Sequence, residues 1–168
     1  MSASLVGSEM CIRDSFNCPG QVVIAGEAGA VEKACGALKE AGARRAVMLK
    51  VSAPFHSTLM EPAAKRLKEV LDTISIHDTL IPVFANVNAK EETKADEIRK
   101  NLVDQAAHAV HWEESVRNMI AGGVDCTVEV GPGTVLSGFM RKIDRSVTNL
   151  HAEDIDTINE VVSTLKGE

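Results

Sequence analysis

Ala46-Val47-Met48-Leu49-Lys50-Val51-Ser52-Ala53-Pro54-Phe55-His56-Ser57 changes character halfway along its length. The first six residues read as an apolar strand. Pro54 ends it, because proline has no amide hydrogen to give to a sheet ladder. Beyond the proline, Ser57 and Thr58 are suited to cap a helix that begins near Leu59, with Leu59, Ala63, Leu67, Val70, Leu71 and Ile74 recurring on one face. Lys65, Arg66, Lys68 and Glu69 fall on the other face, and Pro62 fits the first turn. A strand passing through a proline turn into a helix is the unit of an α/β fold, and it holds His56 at a rigid junction. A neutral imidazole there can take and return a proton near neutral pH, the task of a general base serving a hydroxyl or thiol nucleophile.

Working outward, Gln21 to Ala25 reads as a strand, Ala30 to Ala41 as an amphipathic helix closed by Gly42, and Arg44 to Val51 as a second strand, giving a β-α-β unit. Downstream, Ile81 to Val87 reads as a strand. Asn88 to Lys94 reads as a solvated loop before a helix capped at Asp96 and running through Ile98, Leu102 and Val103. A helix over Trp112 to Ala121 stops at Gly122-Gly123, a strand follows over Cys126 to Val130, and Gly131-Pro132-Gly133 turns into a helix from Val135 to about Ile143. Val147 to His151 completes the strands and Asp154 to Leu165 the helices. The alternation predicts an α/β architecture with a mainly parallel sheet. Met1 to Ser15 shows no apolar periodicity and reads as a tail or a foreign junction.

At 168 residues and 45% apolar content the chain can build one ordinary core. No run of about 18 apolar residues is present, and Met1 to Ser15 lacks the basic flank and apolar stretch of a signal peptide, so a cytoplasmic protein without a membrane partner is expected. Eighteen Lys and Arg against 24 Asp and Glu give a net charge of −6, and with one Trp and four Phe there is neither a phosphate-tracking stripe nor a base-stacking platform. Nucleic acid is therefore not an expected partner. Cys11, Cys18, Cys35 and Cys126 lack Cys-x-x-Cys pairing, which argues against a zinc ribbon, a dithiol redox site or a disulfide framework and leaves free thiols.

His56 needs a nucleophile, and no Gly-x-Ser-x-Gly pentapeptide occurs in the chain. Ser57 suits a helix cap, Ser137 falls inside a helix, and Ser8 lies in the irregular start. Gly131-Pro132-Gly133 has free amides that could hold a phosphate or carboxylate, but it lacks the third glycine of a dinucleotide fingerprint, and a plain tight turn is favoured. His108 and His111, with Asp104 one turn earlier, would share a face as metal ligands if one helix carried them; histidines at a helix end are the alternative. His77 and His151 have less context. Gln105 could offer its side chain or its carbonyl to a neighbouring imidazole and so fix its tautomer, although spacing alone does not bring it to His56.

Pro19-Gly20-Gln21-Val22-Val23-Ile24-Ala25-Gly26, Val51 to Met60, Phe84 to Asn88 and Glu129-Val130-Gly131-Pro132-Gly133 together resemble malonyl-CoA:acyl carrier protein transacylase, in the same order and spacing. The likeness runs from about Phe16 to the end and corresponds to the second half of that family's catalytic domain. It implies a partial α/β-hydrolase-like acyltransferase core (residues 51–168) with a remnant of a ferredoxin-like subdomain (16–50), preceded by the unrelated residues 1–15. In the family, a serine attacks the thioester of malonyl-CoA, and the pantetheine thiol of acyl carrier protein then cleaves the malonyl-serine ester. A histidine drives both steps.

By this resemblance His56 matches that histidine, Gln105 the glutamine whose carbonyl orients it, and Phe55 a residue that crowds an α-methyl group on the substrate. The serine elbow, the arginine for the malonyl carboxylate and the oxyanion-hole glutamine belong to the half that does not match. The resemblance implies a cytoplasmic S-malonyltransferase of fatty acid synthesis that needs no cofactor and has malonyl-CoA and acyl carrier protein as partners. Its parent is expected to be monomeric, and this chain alone inactive. A noncatalytic piece that binds acyl carrier protein or CoA is the alternative. A thiol hydrolase using Cys18 or Cys35 with His56 is the third reading.

Overall fold

The computed structural model describes residues 11–49, 51 and 53–167. Two strands open the described chain, β1 (Cys11–Cys18) and β2 (Gln21–Gly26), paired antiparallel with Phe16 opposite Val22 and Cys18 opposite Gln21. Pro19-Gly20 makes the two-residue turn between them: proline supplies the fixed negative φ, and Gly20 takes φ 78. β1 runs across the boundary expected at residue 15, and its outer edge bridges to Val110, whose carbonyl accepts the Phe16 amide at 2.8 Å. A polar run such as Arg13-Asp14-Ser15 shows no alternation; its partners, distant in sequence, make it a strand. Residues 1–10 of the expected tail lie outside the described residues.

α1 (Ala28–Glu40) follows β2, and Gly42 at φ 91 ends its exit turn. The strand expected over Arg44 to Val51 does not form in the residues described there. Among the described residues nothing lies beside this stretch to complete a ladder, and Val47, Met48, Leu49 and Val51 are exposed. An apolar run is compatible with a strand; only a hydrogen-bonded neighbour makes it one. A single 3-10 turn, Thr58–Met60, then leads into α2 (Glu61–Leu71) with Pro62 in its first turn, so the expected helix ends three residues short of Ile74.

Ile81 to Val87 contributes only β3 (Val83–Phe84), antiparallel to β4 (Glu91–Glu92). α3 (Ala95–Asp104) starts one residue before Asp96. Its first amide, Ala95, is capped from a distance by Asp78 Oδ1 at 2.9 Å, while Lys94 Nζ pairs with Asp78 Oδ2 at 2.8 Å. The Lys94 hydrogen bond, foremost, draws the Asp78 carboxyl below its ordinary pKa.

α4 (Trp112–Ala121), β5 (Cys126–Val130), α5 (Val135–Ile143), β6 (Thr148–Ala152) and α6 (Ile155–Lys166) follow the sequence reading closely. β5 and β6 are parallel, Val128 opposite Leu150, with α5 as their crossover. The sheet expected to be mainly parallel is thus, among the described residues, three two-stranded pieces of which one is parallel. The fold is mixed α/β.

Cys18 of β1, Val116 of α4, Met140 and Ile143 of α5, and Val147 form the buried cluster, with Trp112, Ile120 and Phe139 packed on it. This core lies where β1 meets α4 and α5. Met140 is 4% exposed, and Met140→Ala should lower unfolding stability by roughly 2–5 kcal/mol through lost burial and an unfilled cavity. Urea unfolding should report this as a lower midpoint at unchanged slope.

Candidate active site

His56 sits at the third place of a turn running from Pro54 to Ser57, with φ 57, and its ring is part-exposed. Its Nδ1 lies 2.9 Å from the backbone carbonyl oxygen of Gln105, 49 residues away. A carbonyl only accepts, so Nδ1 carries the hydrogen and donates it, and the lone pair of the neutral ring is left on Nε2. That is the tautomer a base acting through Nε2 requires. Gln105 is the residue that ends α3, and its own amide donates to Asn101. Its carbonyl is one of those that a helix leaves without an intrahelical partner. The same end carries the negative pole of the helix dipole, which favours the ring once it gains a proton. It is the main-chain oxygen of Gln105, not its amide side chain, that meets His56.

Phe55 precedes the histidine in the turn and is 48% exposed. Ser57, read as a cap, makes no cap bond; it is 1% exposed, and its Oγ donates back to the Pro54 carbonyl at 2.6 Å. Among the described residues, one open cleft of about 340 Å³ is lined by Phe16, His111, Glu113, Glu114 and Arg117 and another by residues of β4, α3 and the loop before β4, and neither of these two includes His56.

The remaining histidines do not join it. α3 stops at Asp104 and α4 begins at Trp112, so no single helix carries both His108 and His111. His108 donates from Nδ1 to the Asp104 carbonyl at 2.7 Å and closes the helix end. His111 stacks on Phe16 with ring centroids 5.6 Å apart and lies 3.3 Å from Glu114. Among the described residues no group of three His, Cys, Asp or Glu is arranged to hold a metal. His77 is exposed and His151 pairs opposite Glu129 in the strand ladder. Cys18 is 2% exposed inside the apolar core, with Sγ toward Gln21 Oε1 at 3.7 Å, which removes it as a thiol for His56.

The Gly131-Pro132-Gly133 turn does hold anions, and they are the chain's own. Glu129 accepts the amides of Leu136 at 2.9 Å and Ser137 at 2.7 Å, and Glu153 accepts that of Gly133 at 2.6 Å. Gly131 at φ 124 and Gly133 at φ 85 give the turn its course. Partial burial pushes the Glu129 pKa up. The adjacent Ser137 side chain, the Ser137 and Leu136 amides and the facing His151 more than offset this, so the carboxyl titrates below its ordinary value. The Ser137 hydroxyl lies near the carboxylate but makes no hydrogen bond of ordinary geometry among the described residues, so the two backbone amides are the well-formed bonds to Glu129.

No family model matches the chain. It is similar to malonyl CoA-acyl carrier protein transacylase of Bacillus subtilis, 47% identical over 154 residues, which are 92% of this chain and 49% of that protein. Among solved structures it is similar to malonyl CoA-acyl carrier protein transacylase from Clostridium perfringens (TM-score 0.90, 39% identity, 94% of this chain and 50% of that one). Another describes a type II PKS acyl-carrier protein in complex with its malonyl-transacylase (TM-score 0.88, 40% identity, 95% of this chain and 50% of that one). The mixed helices and sheets are those of an α/β acyltransferase. Over most of its length the chain is similar to malonyl CoA-acyl carrier protein transacylases, and it spans about half the length of the curated relatives it matches.

The lowered pKa of Glu129 makes a stability prediction. Folding gains from the ionised carboxylate at pH above the ordinary glutamate value of 4.5, and that gain is lost as pH falls through the lower folded value. Glu129→Gln should lower stability by about 1–2 kcal/mol at neutral pH. The gap to the parent chain should shrink as the pH is lowered, as read from urea midpoints across an acid series.

Proposed function

We propose that this chain is the histidine-bearing C-terminal part of an S-malonyltransferase of fatty acid synthesis, which moves malonyl from CoA to the pantetheine thiol of acyl carrier protein. The observation that carries the reading is the Nδ1–H of His56 held by the Gln105 carbonyl. Its similarity to the transacylases supports the substrate pair.

In the reaction, Nε2 of His56 takes the proton of a serine hydroxyl as the oxygen attacks the malonyl thioester, and gives it to the departing CoA sulfur. The pantetheine thiol then passes its proton to the same nitrogen while attacking the malonyl-serine ester, and the proton returns to serine as the ester breaks. Each half consumes and regenerates one proton on His56, with no redox step and no cofactor. The Gln105 carbonyl and the end of α3 favour the transient imidazolium by charge. Phe55, beside the ring, narrows the space available to an α-branched acyl group.

The nucleophilic serine belongs to the half of the transacylases that this chain does not span, so the chain alone is inactive. Incubated with malonyl-CoA it should gain no covalent malonyl group by intact-mass measurement, and a stable acyl adduct on any residue would refute this. Joined to the remaining half of the Bacillus subtilis relative, it should transfer malonyl to acyl carrier protein, and His56→Ala should lower that rate by about 10²–10⁴-fold. Full transfer by the His56→Ala form would sink the assignment. A noncatalytic role in binding acyl carrier protein or CoA is the second reading, favoured by the likeness to a transacylase solved with its carrier protein. Measurable affinity with zero turnover in the joined protein would select it. No helix among the described residues is long and apolar enough to cross a membrane, and we place the enzyme in the cytoplasm.

A further inference from the structure

His56, at φ 57, occupies the left-handed region, which is uncommon for residues bearing a Cβ even though histidine, asparagine and aspartate enter it more readily than most. A turn with positive φ at its third residue normally puts glycine there. Here the residue is a histidine whose ring must also reach Gln105, so something has to hold the turn in place.

Ser57 is that holder. Its hydroxyl donates to the Pro54 carbonyl at 2.6 Å, and its carbonyl accepts the Met60 amide at 2.9 Å, fixing the start of the 3-10 turn. Phe55 and His56 are the central residues of the Pro54–Ser57 turn, and the Ser57 hydroxyl adds a side-chain donor to the Pro54 carbonyl that opens it, so the side chain reinforces the closure of the turn. Ser57 is 1% exposed, and water cannot readily replace the lost donor if the hydroxyl is removed. The loop is therefore gripped at two points: across its base by Ser57, and at its tip by the bond from His56 Nδ1 to Gln105.

We propose that Ser57 is a positioning residue for His56: its hydroxyl clamps the Pro54–Ser57 turn and thereby enforces the Nδ1–H tautomer. Without the clamp the backbone relaxes toward negative φ and the ring leaves the end of α3. An imidazole freed to water favours the Nε2–H form, which has no lone pair at the nitrogen a base would use. The catalytic meaning of the clamp rests on the proposed role of His56; the clamp itself does not.

The test is ¹⁵N NMR of the histidine rings in the whole chain, for the parent sequence, Ser57→Ala and Ser57→Thr, at a pH where the rings are neutral. The Nδ1–H tautomer of His56 should be the major form in the parent chain and the minor form in Ser57→Ala, with His151 unchanged as the internal reference for folding. Ser57→Thr keeps a hydroxyl and should return Nδ1–H to the major form. A parent tautomer ratio in Ser57→Ala overturns the proposal. So does a Ser57→Thr ring that behaves like Ser57→Ala while His151 keeps its parent signals. Should Ser57→Ala lose its folded spectrum, Ser57→Thr decides by the same criterion. This readout needs no turnover, so it stands or falls separately from the His56→Ala transfer assay.

Discussion

Peptide groups left over at helix ends need partners, and much of this chain is arranged around supplying them. The last carbonyls of α3 are met by two histidines, His56 on Gln105 and His108 on Asp104. Its first amide is met by Asp78, and the opening amides of α5 by Glu129. Donors gather at the negative ends and carboxylates at the positive ends, as the helix dipole favours. One of these pairings, that of His56, also selects which ring nitrogen stays bare. A requirement of the backbone thus sets the protonation chemistry of the candidate site.

The core that supports this arrangement is small and one-sided. Its buried apolar cluster is Cys18, Val116, Met140, Ile143 and Val147. Val47, Met48, Leu49, Val51, Leu80, Ile81, Val130 and Val135 are among the exposed apolar side chains. They lie near the strand ends and on the extended segment that leads to His56. A protein that spans half the length of its relatives carries on its surface apolar groups of the kind that a larger fold buries.

The sequence made the second half of the fold legible and the first half much less so. Helix α4 and strand β5 were readable to the residue because Gly122-Gly123 and the Gly131-Pro132-Gly133 turn bound them locally. Residues 44 to 51 carry a strand-like apolar run, yet among the described residues they find no partner, whereas Arg13-Asp14-Ser15 has no such pattern and lies in a strand that pairs with β2 and bridges to Val110; in both cases a distant neighbour decides. At the site, the meeting of His56 with the Gln105 carbonyl was suggested by family resemblance and by no spacing rule. The roles of Ser57, Asp78 and Glu129 each depend on a hydrogen bond whose geometry residue type does not reveal.

The crossover from β5 through α5 to β6 is built from contacts close together in the chain. Its two strands pair after only a short intervening helix, and α6 packs back on β6, so this piece closes loops of low entropic cost. The contact of His56 with Gln105 closes a loop of 49 residues, and both residues leave the ribosome ahead of β5, α5 and β6, so during synthesis that contact becomes available before the C-terminal crossover does.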